Sequence, residues 1–548
     1  MKDNIEAVFK AAAQDRFGHD VQVNLVRPDP KFGDYTTSVA FELAAALKKA
    51  PAEIANELAG LVKSDLIKEL SVAGGGFINI VLTPAALLQE LASASGWPTA
   101  NRDKLILTEF GDPNPFKEMH LGHLYSSVVG DAIATLLEAS GARVKRLSYH
   151  GDVGVHIAKC IWAIIRAMDS DPAKLDEVLA AHPLGYYYAL GAKAFDDNVD
   201  AKAEIIAINQ HVYARDDTVI NTIYQRGWDI SFANFDAVFD MIGVHYDRRY
   251  LESESAAIGQ AIVEQNTPDV FEKSDGAVVY KGEKAGLHTR VFITSAGLPT
   301  YEAKDLGLVE LKQRDYPDSE RSIVLTANEQ AEYFKVMLAA LKEINPELAV
   351  KTIHMSHGVL GLTTGKMSSR SGDVYAVLTL LDDVKASVSA AYPNTLVGRE
   401  IFLAAVKYTL LRHKIGSNIV FDVKESVSLE GNSGPYIQYA HARARSILDK
   451  YSGELTMPAD VELETAERLL IMKINTFPEV VEKAIGEYMP HLICNYLYEL
   501  AQNFNQFYES NRVINDPRML LRLDIISKYA TVLKSGLNLL SIPAPDRM

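Results

Sequence analysis

Residues 104–152 read KLILTEFGDPNPFKEMHLGHLYSSVVGDAIATLLEASGARVKRLSYHGD, and their rhythm is strand, loop, helix, strand. "KLILTEF" is a short apolar run closed by the turn-rich "GDPNP". "LYSSVVGDAIATLLEASG" repeats apolar side chains at helical spacing and places Gly141 where a helix C-terminus accepts a left-handed residue. "ARVKRLSYHGD" supplies the second strand, so the stretch is a βαβ unit and predicts a parallel sheet. Ligands of such sheets bind beyond the carboxyl ends of the strands, which is where "PFKEMHLGH" and "SYHGD" fall.

Upstream, residues 1 to about 90 combine an amphipathic helical start, the turn "RPDPKFGDY", the helical runs "TSVAFELAAALKKA" and "PAEIANELAGLV", and the glycine-fed strand "GGGFINIVL". They predict a small α+β domain, with "ASASGWPTANRD" as its linker to the next unit. Downstream the pattern is largely helical from about 160 to 250, then hairpin-like around "DVFEKSDGAVVYKGEKAGLHTRVFITSAG". The α/β rhythm returns in "RSIVLTANEQAEYFKVMLAALKEI" and "KTIHMSHGVLGL", and from about 385 the patterns are helical to the end. The expected architecture is an α+β domain over 1–90, an α/β Rossmann-like domain over 104–385 with an inserted segment at about 170–290, and an all-α bundle over 386–548.

Composition limits the functions open to this chain. Its 548 residues allow about three or four domains. With 48% hydrophobic and 23% charged residues it has the balance of a soluble globular protein, and no apolar run is long enough to span a bilayer. The start "MKDNIEAVFK" lacks the pattern of a secretory signal, so a cytoplasmic protein is expected. Two cysteines, Cys160 and Cys494, are too few for a disulfide scaffold or a cysteine-based zinc site. The net charge of −16 argues against a uniformly basic nucleic-acid surface, while leaving room for a local basic groove.

The pair His120 and His123, around Gly122, admits three readings. A zinc site would draw on His120 and His123 with His150, Asp152 and His156, but no HExxH-like spacing is present, and no metal site is expected. Two solvated surface histidines are the default for an isolated H-x-x-H. The third reading is a phosphate site: a helix N-terminus after a parallel strand concentrates free N–H groups and positive dipole, and the glycine lets a flat base approach the backbone.

"HLGH" resembles the HIGH signature of class I aminoacyl-tRNA synthetases, and "GKMSSRSGDV" (365–374) resembles the class's later KMSKS loop, in the expected order. Within the class the chain is similar to the arginyl-tRNA synthetase family from end to end. "GDYTTSVAFELAAAL" and "GGGFINIVL" resemble that family's tRNA-elbow-contacting N-terminal domain. "YHGDVG" resembles its "GDWG" turn, "LPTYEAKD" its arginine-pocket segment, and "GPYIQYAHARARSILDK" its anticodon-binding helix. The resemblance implies an ATP-dependent ligase that forms arginyl-adenylate and passes arginine to the terminal 2′-hydroxyl of tRNA(Arg). Its partners would be ATP with Mg2+, L-arginine and tRNA, and a monomer is expected.

By the same resemblance His120, Gly122, His123, Lys366, Met367 and Ser368 bind ATP, with Lys366 serving the leaving pyrophosphate. A guanidinium needs carboxylate and other acceptors for its five donors. Tyr301 and Asp305, on one face if their segment is helical, supply them, joined in the arginine site by Asn114, Ser148 and Gln330. In the last domain Tyr436, Tyr439, His441, Arg443 and Arg445 are the expected tRNA-facing set, aromatic and cationic side chains being suited to stacking and phosphate neutralisation. The second lysine of KMSKS is missing: Ser369 holds its place, followed by Arg370, and Lys117 is expected to supply the absent cation at the α-phosphate. Ser148 and Val153 stand where the family has asparagine and tryptophan, and "TANEQAEYF" departs from the usual setting of Gln330. Cysteinyl-tRNA synthetase, which would need a cysteine-rich zinc pocket, a non-catalytic tRNA-binding relative and a metallohydrolase are the competing readings.

Overall fold

A computed structural model of the chain describes residues 1–363, 377–393, 395–453 and 461–548. The amphipathic helix α1 (Lys2–Phe17) buries Ile5, Phe9 and Ala13 along one face. After it come β1 (Leu25–Val26), β2 (Tyr35–Thr37), α2 (Val39–Leu47), α3 (Pro51–Leu61), β3 (Ile67–Ala73), β4 (Phe77–Leu82) and α4 (Pro84–Ala92). The strands form an antiparallel sheet in the order β1-β2-β4-β3, and the alternating Ile78, Ile80 and Leu82 of β4 turn into its core.

The second unit is wound around a five-stranded parallel sheet. Its elements are β5 (Leu105–Glu109), α5 (Leu121–Ala139), β6 (Arg143–His150), α6 (Val155–Ala167), α7 (Leu175–Ala181), α8 (Leu184–Asp197), α9 (Val199–Ala214), α10 (Thr218–Ile242), β7 (Arg248–Leu251) and α11 (Glu252–Gln265). They continue with β8 (Glu272–Ser274), β9 (Ala277–Tyr280), β10 (Arg290–Ile293), α12 (Tyr301–Asp315), β11 (Ser319–Ala327), α13 (Ala331–Ile344), α14 (Pro346–Lys351), β12 (Thr352–His357) and β13 (Leu360–Leu362). The sheet order is β12-β11-β5-β6-β7, so the chain first builds to one side of β5 and then returns to the other. That reversal places a crevice between the ends of β5 and β11. Helices α6 to α10 form a separate apolar cluster around Ile157, Ile161, Tyr187 and Val212, while β8, β9 and β10 make a small antiparallel meander. Helices α11 and α12 touch backbone to backbone: a Cβ on Gly259 would lie 1.8 Å from the Ala303 carbonyl oxygen, and one on Gly307 would lie 2.1 Å from that of Ser255.

The last unit holds α15 (Val377–Ala391) and α16 (Gly398–Leu411), then β14 (Ile419–Phe421), α17 (Val423–Ser426), α18 (Gly434–Leu448), α19 (Thr465–Asn475), α20 (Phe477–Glu487), α21 (His491–Ser510) and α22 (Met519–Leu539). The parallel-sheet centre, the α+β start and the helical end agree with the sequence. Two strands were hidden in helical patterns: β7 closes one edge of the central sheet, and β14 pairs with β13. One apolar core runs from the first unit through α5 into the helical end. Arg27 bridges the two ends of the chain, donating to Glu90 (2.6 Å) and Glu479 (3.0 Å) and to the Asn475 carbonyl (3.2 Å). A second bridge joins Arg468 to the buried Asp34.

Candidate active site

The N-terminus of α5 begins at the end of the loop that leaves β5, and His120 caps it with extended backbone. The His120 N–H donates to His123 Nδ1 (3.2 Å), and the two rings stack with centroids 3.6 Å apart. Since Nδ1 of His123 accepts, its proton sits on Nε2, which is then a donor. A side chain at 122 would press on the His120 ring at 3.0 Å, so glycine here leaves room for the stacked pair. Although His120 is exposed at the cleft mouth, the surrounding walls, then Lys117 and His357, push its imidazole down to about 4. His123 is held well below the usual histidine range by burial first and then His120. Both are therefore neutral donors at pH 7, and Lys117 is the cation on this loop nearest to them in effect. Its ammonium lies 4.8 Å from the Tyr188 ring centroid, and burial and Lys159 lower its pKa.

The loops beyond β5 and β6 are pinned to each other. His150 donates from Nδ1 to the Pro113 carbonyl (2.6 Å), which leaves Nε2 to accept from the Ser148 hydroxyl (2.9 Å). Asn114 Oδ1 accepts from the Gly151 N–H (2.8 Å), so its Nδ2 carries the hydrogens it has left to offer. Asp152 accepts from Tyr224 OH (3.0 Å) and from the Ser253 N–H (2.8 Å), and thereby caps α11 from a distant loop. His156 donates to the Gly151 carbonyl (2.8 Å). Three residues of the zinc reading thus spend their polar atoms on the fold, and among the described residues no group of three or more His, Cys, Asp or Glu side chains could hold a metal. Ser148, named for the arginine site, is fully buried in β6 and gives its proton to His150.

Acidic side chains gather around the carboxyl end of β5, where Asp112 feels the charges of Glu109 and Asp305, and Asp305 those of Glu109 and Glu252. Tyr301 and Asp305 share one face of α12 as expected: Tyr301 opens the helix and is 61% exposed, while Asp305, one turn on, is 7% exposed. Asp305 Oδ2 has no hydrogen-bond partner among the described residues. Burial, followed by the charge on Glu109, holds its carboxyl well above the usual range, with the Tyr333 hydroxyl and Lys312 opposing. Glu109, at the end of β5, is paired with the buried Lys312. Asp112 accepts from the Tyr149 N–H (2.7 Å) and is also pushed up by burial and Glu109. Glu252 and Lys304 form a second buried pair at 2.6 Å. Burying a carboxylate with no cation paired to it is costly, so Asp305 fits a cationic ligand. Sequence reasoning missed Glu109, Asp112, Glu252 and Tyr333, although the first two lie inside its own opening stretch. Gln330 is exposed on a single turn of 3-10 helix (Asn328–Gln330), beside this pocket's Tyr333 in sequence.

Lys366, Met367 and Ser368 lie outside the described residues. On α18 the expected nucleic-acid set divides by helical face. Tyr439 is exposed, Tyr436 is half-buried and receives a hydrogen bond from Asn505 (2.9 Å), and the Arg443 guanidinium lies over Tyr508 at 4.5 Å. The other face meets the chain's tail. There His441 is buried and its Nδ1 donates to the Pro545 carbonyl (2.9 Å), and Arg445 faces Asp546 (3.5 Å).

Known proteins resemble this chain along its whole length. Residues 84–421 match the family described as tRNA synthetases class I (R), catalytic domain. Residues 1–82 match the arginyl tRNA synthetase N terminal domain, and residues 437–548 the DALR anticodon binding domain. The arginine–tRNA ligase of Bacteroides fragilis is 28% identical over 97% of each chain, and that of Porphyromonas gingivalis 29% over 99% of each. The solved Thermus thermophilus arginyl-tRNA synthetase superimposes with a TM-score of 0.80 over the full length of both, at 27% identity. The Plasmodium falciparum arginyl-tRNA synthetase shares the fold at 19% identity, with a TM-score of 0.80 over 100% of this chain and 99% of that one.

Proposed function

The chain belongs to the class I arginyl-tRNA synthetases, and from that premise we propose how its own residues divide the work of an arginine–tRNA ligase. The enzyme activates arginine with ATP and transfers it to tRNA(Arg). The observation that carries the site reading is Asp305, a buried carboxylate on α12 with an unpartnered oxygen, under the charge of Glu109 at the end of β5, the strand whose following loop leads to the His120–His123 helix end.

The arginine guanidinium pairs with Asp305, with Tyr333 and Tyr301 beside it, while Glu109 remains on Lys312 and Glu252 on Lys304. Asn114 offers Nδ2 to the substrate's carboxylate end, and Gln330 closes that side. In activation the arginine carboxylate attacks the α-phosphorus in line; the new C–O–P bond forms as the bond to the leaving pyrophosphate breaks. The protein's part is positioning and charge neutralisation. His123 donates from Nε2 and His120 from its neutral ring, and Gly122 keeps the approach open. Lys117 supplies the cation at the α-phosphate that Ser369 cannot. Lys366 is assigned to the departing pyrophosphate, and Met367 and Ser368 to ATP, on motif order alone. Mg2+ arrives with ATP, as part of the substrate. The 2′-hydroxyl of the terminal adenosine then attacks the activated carbonyl, and AMP leaves. Tyr439, Tyr436 and Arg443 are the residues of α18 read as facing the anticodon arm. The working form is taken as a cytoplasmic monomer, with domains at about 1–90, 104–385 and 386–548; sedimentation tests the first of these.

ATP–pyrophosphate exchange with each of the twenty amino acids, with and without tRNA, tests the reading. Exchange confined to arginine is expected, and dependence on tRNA would mean that docking completes the site. Absence of exchange with every amino acid would overturn the catalytic reading.

A further inference from the structure

We propose that Tyr188, on α8 of the helical insertion, is a positioning residue for Lys117, its ring forming the platform that holds the ammonium toward the α-phosphate. This rests on the assignment of Lys117 made above.

The geometry has two parts. The Lys117 Nζ stands 4.8 Å from the Tyr188 ring centroid, within the distance at which a cation is attracted to an aromatic face. The helix carrying that ring is seated by glycines one turn to either side. A Cβ on Gly185 would lie 2.8 Å from Glu118 Cγ, next to Lys117 in the loop, and one on Gly191 would lie 1.9 Å from the Lys159 carbonyl oxygen on α6. Residues 185, 188 and 191 recur at three-residue spacing, so they lie along one side of α8. The Gly185 contact is with the loop that carries Lys117 and the Gly191 contact is with α6, so α8 cannot slide or lift without losing them. Leu184 adds a third fixed point, its carbonyl accepting from the Cys160 thiol (3.5 Å).

Lys117 needs such a platform because it is half-buried and has Lys159 for a neighbour, both of which work against its charge. Glu252 acts in its favour, but that carboxylate is engaged by Lys304 at 2.6 Å. A π face stabilises the ammonium without neutralising it, leaving its donors for phosphate. A carboxylate in the same place would compete with the substrate. The insertion thus contributes to the chemistry assigned to the loop between β5 and α5.

The test is a double-mutant cycle read by arginine-dependent ATP–pyrophosphate exchange in the presence of tRNA. Tyr188→Phe keeps the ring and should retain near-wild-type kcat. Tyr188→Leu should lower kcat about tenfold, with the KM values for ATP and arginine changed less than about threefold. In a Lys117→Ala background the same Leu substitution should cost nothing further. If Tyr188→Leu does not fold, Tyr188→Met takes its place in the cycle. A Tyr188 loss that persists undiminished in Lys117→Ala, an equal loss in Tyr188→Phe, or a Leu variant with unchanged kcat would overturn the proposal. If Lys117→Ala itself leaves exchange intact, it is the Lys117 assignment that fails.

Discussion

Replacing Asp305 with asparagine separates what that residue does for the ligand from what it does for the fold. The side chain keeps its size, and the pocket keeps Glu109 on Lys312 and Glu252 on Lys304. What goes is the one pocket carboxylate with a buried, unpartnered oxygen and no cation paired to it among the described residues. Removing one partner of a buried, hydrogen-bonded charge pair costs about 2–5 kcal/mol. That is roughly a 30- to 5,000-fold loss in kcat/KM for arginine, with the KM for ATP little changed. The folded protein without substrate should respond in the opposite direction. Burial and Glu109 raise the Asp305 carboxyl above its unfolded value. The native state therefore holds a proton that the unfolded chain releases as pH climbs through the ordinary carboxylate range, and stability is lost across the window from there up to the raised value. Asparagine has no such penalty, so its melting temperature should exceed wild type at neutral pH and converge with it near pH 4. Exchange kinetics and thermal melts at several pH values measure both halves. An arginine kcat/KM within about tenfold of wild type, or a melting temperature that falls increasingly below wild type as pH rises, would refute the reasoning.

Other perturbations test other joints. Gly307→Ala drives a Cβ to within 2.1 Å of the Ser255 carbonyl oxygen, so α12 must part from α11; a stability loss of about 1–3 kcal/mol is expected. The KM for arginine should rise with it, because α12 carries Tyr301, Lys304 and Asp305; unchanged melting and KM would count against the packing argument. His120 titrates at about 4, so the pH profile of activation should show no break from it near the ordinary histidine value. A break near pH 6.5 that disappears in His120→Asn would contradict a neutral donor. Arg27→Ala leaves Glu90 without its cation at the junction of the two chain ends. It should cost about 3–5 kcal/mol and speed proteolysis in the 93–103 linker; resistance equal to wild type would show that the junction holds by apolar packing alone.

The features legible in the sequence are those whose cause is local. The βαβ unit at 104–152 reads correctly because a strand, a turn and a helix each leave their own period in adjacent residues. The one-face placement of Tyr301 and Asp305 follows from spacing in the same way. The strands β7 and β14 left no such mark: each is four residues or fewer, and each exists because a distant strand accepts its hydrogen bonds. The acidic pocket was hidden for a related reason. Glu109 at the end of "KLILTEF" looks like a polar strand end, and nothing nearby announces that it is buried or that its counter-ion, Lys312, sits far along the chain. Ser148 is named for the arginine site only by its place before the "GDWG"-like turn, and nothing local shows that its hydroxyl meets His150 two residues on.

The helix α18 shows where periodicity stops being informative. A period of 3.6 predicts that residues 436, 439 and 443 share one face and 441 and 445 another. It cannot say which face is covered, since that depends on what packs there, and here the cover is the tail: Pro543 and Pro545 offer carbonyls to Gln438 (2.7 Å) and His441 (2.9 Å). These carbonyls need donors once the chain lies against the helix, so His441 is fixed as a structural histidine by residues about a hundred positions away. Residue type alone makes His441 a candidate to face RNA, and only the folded tail shows that its ring nitrogen already meets the Pro545 carbonyl.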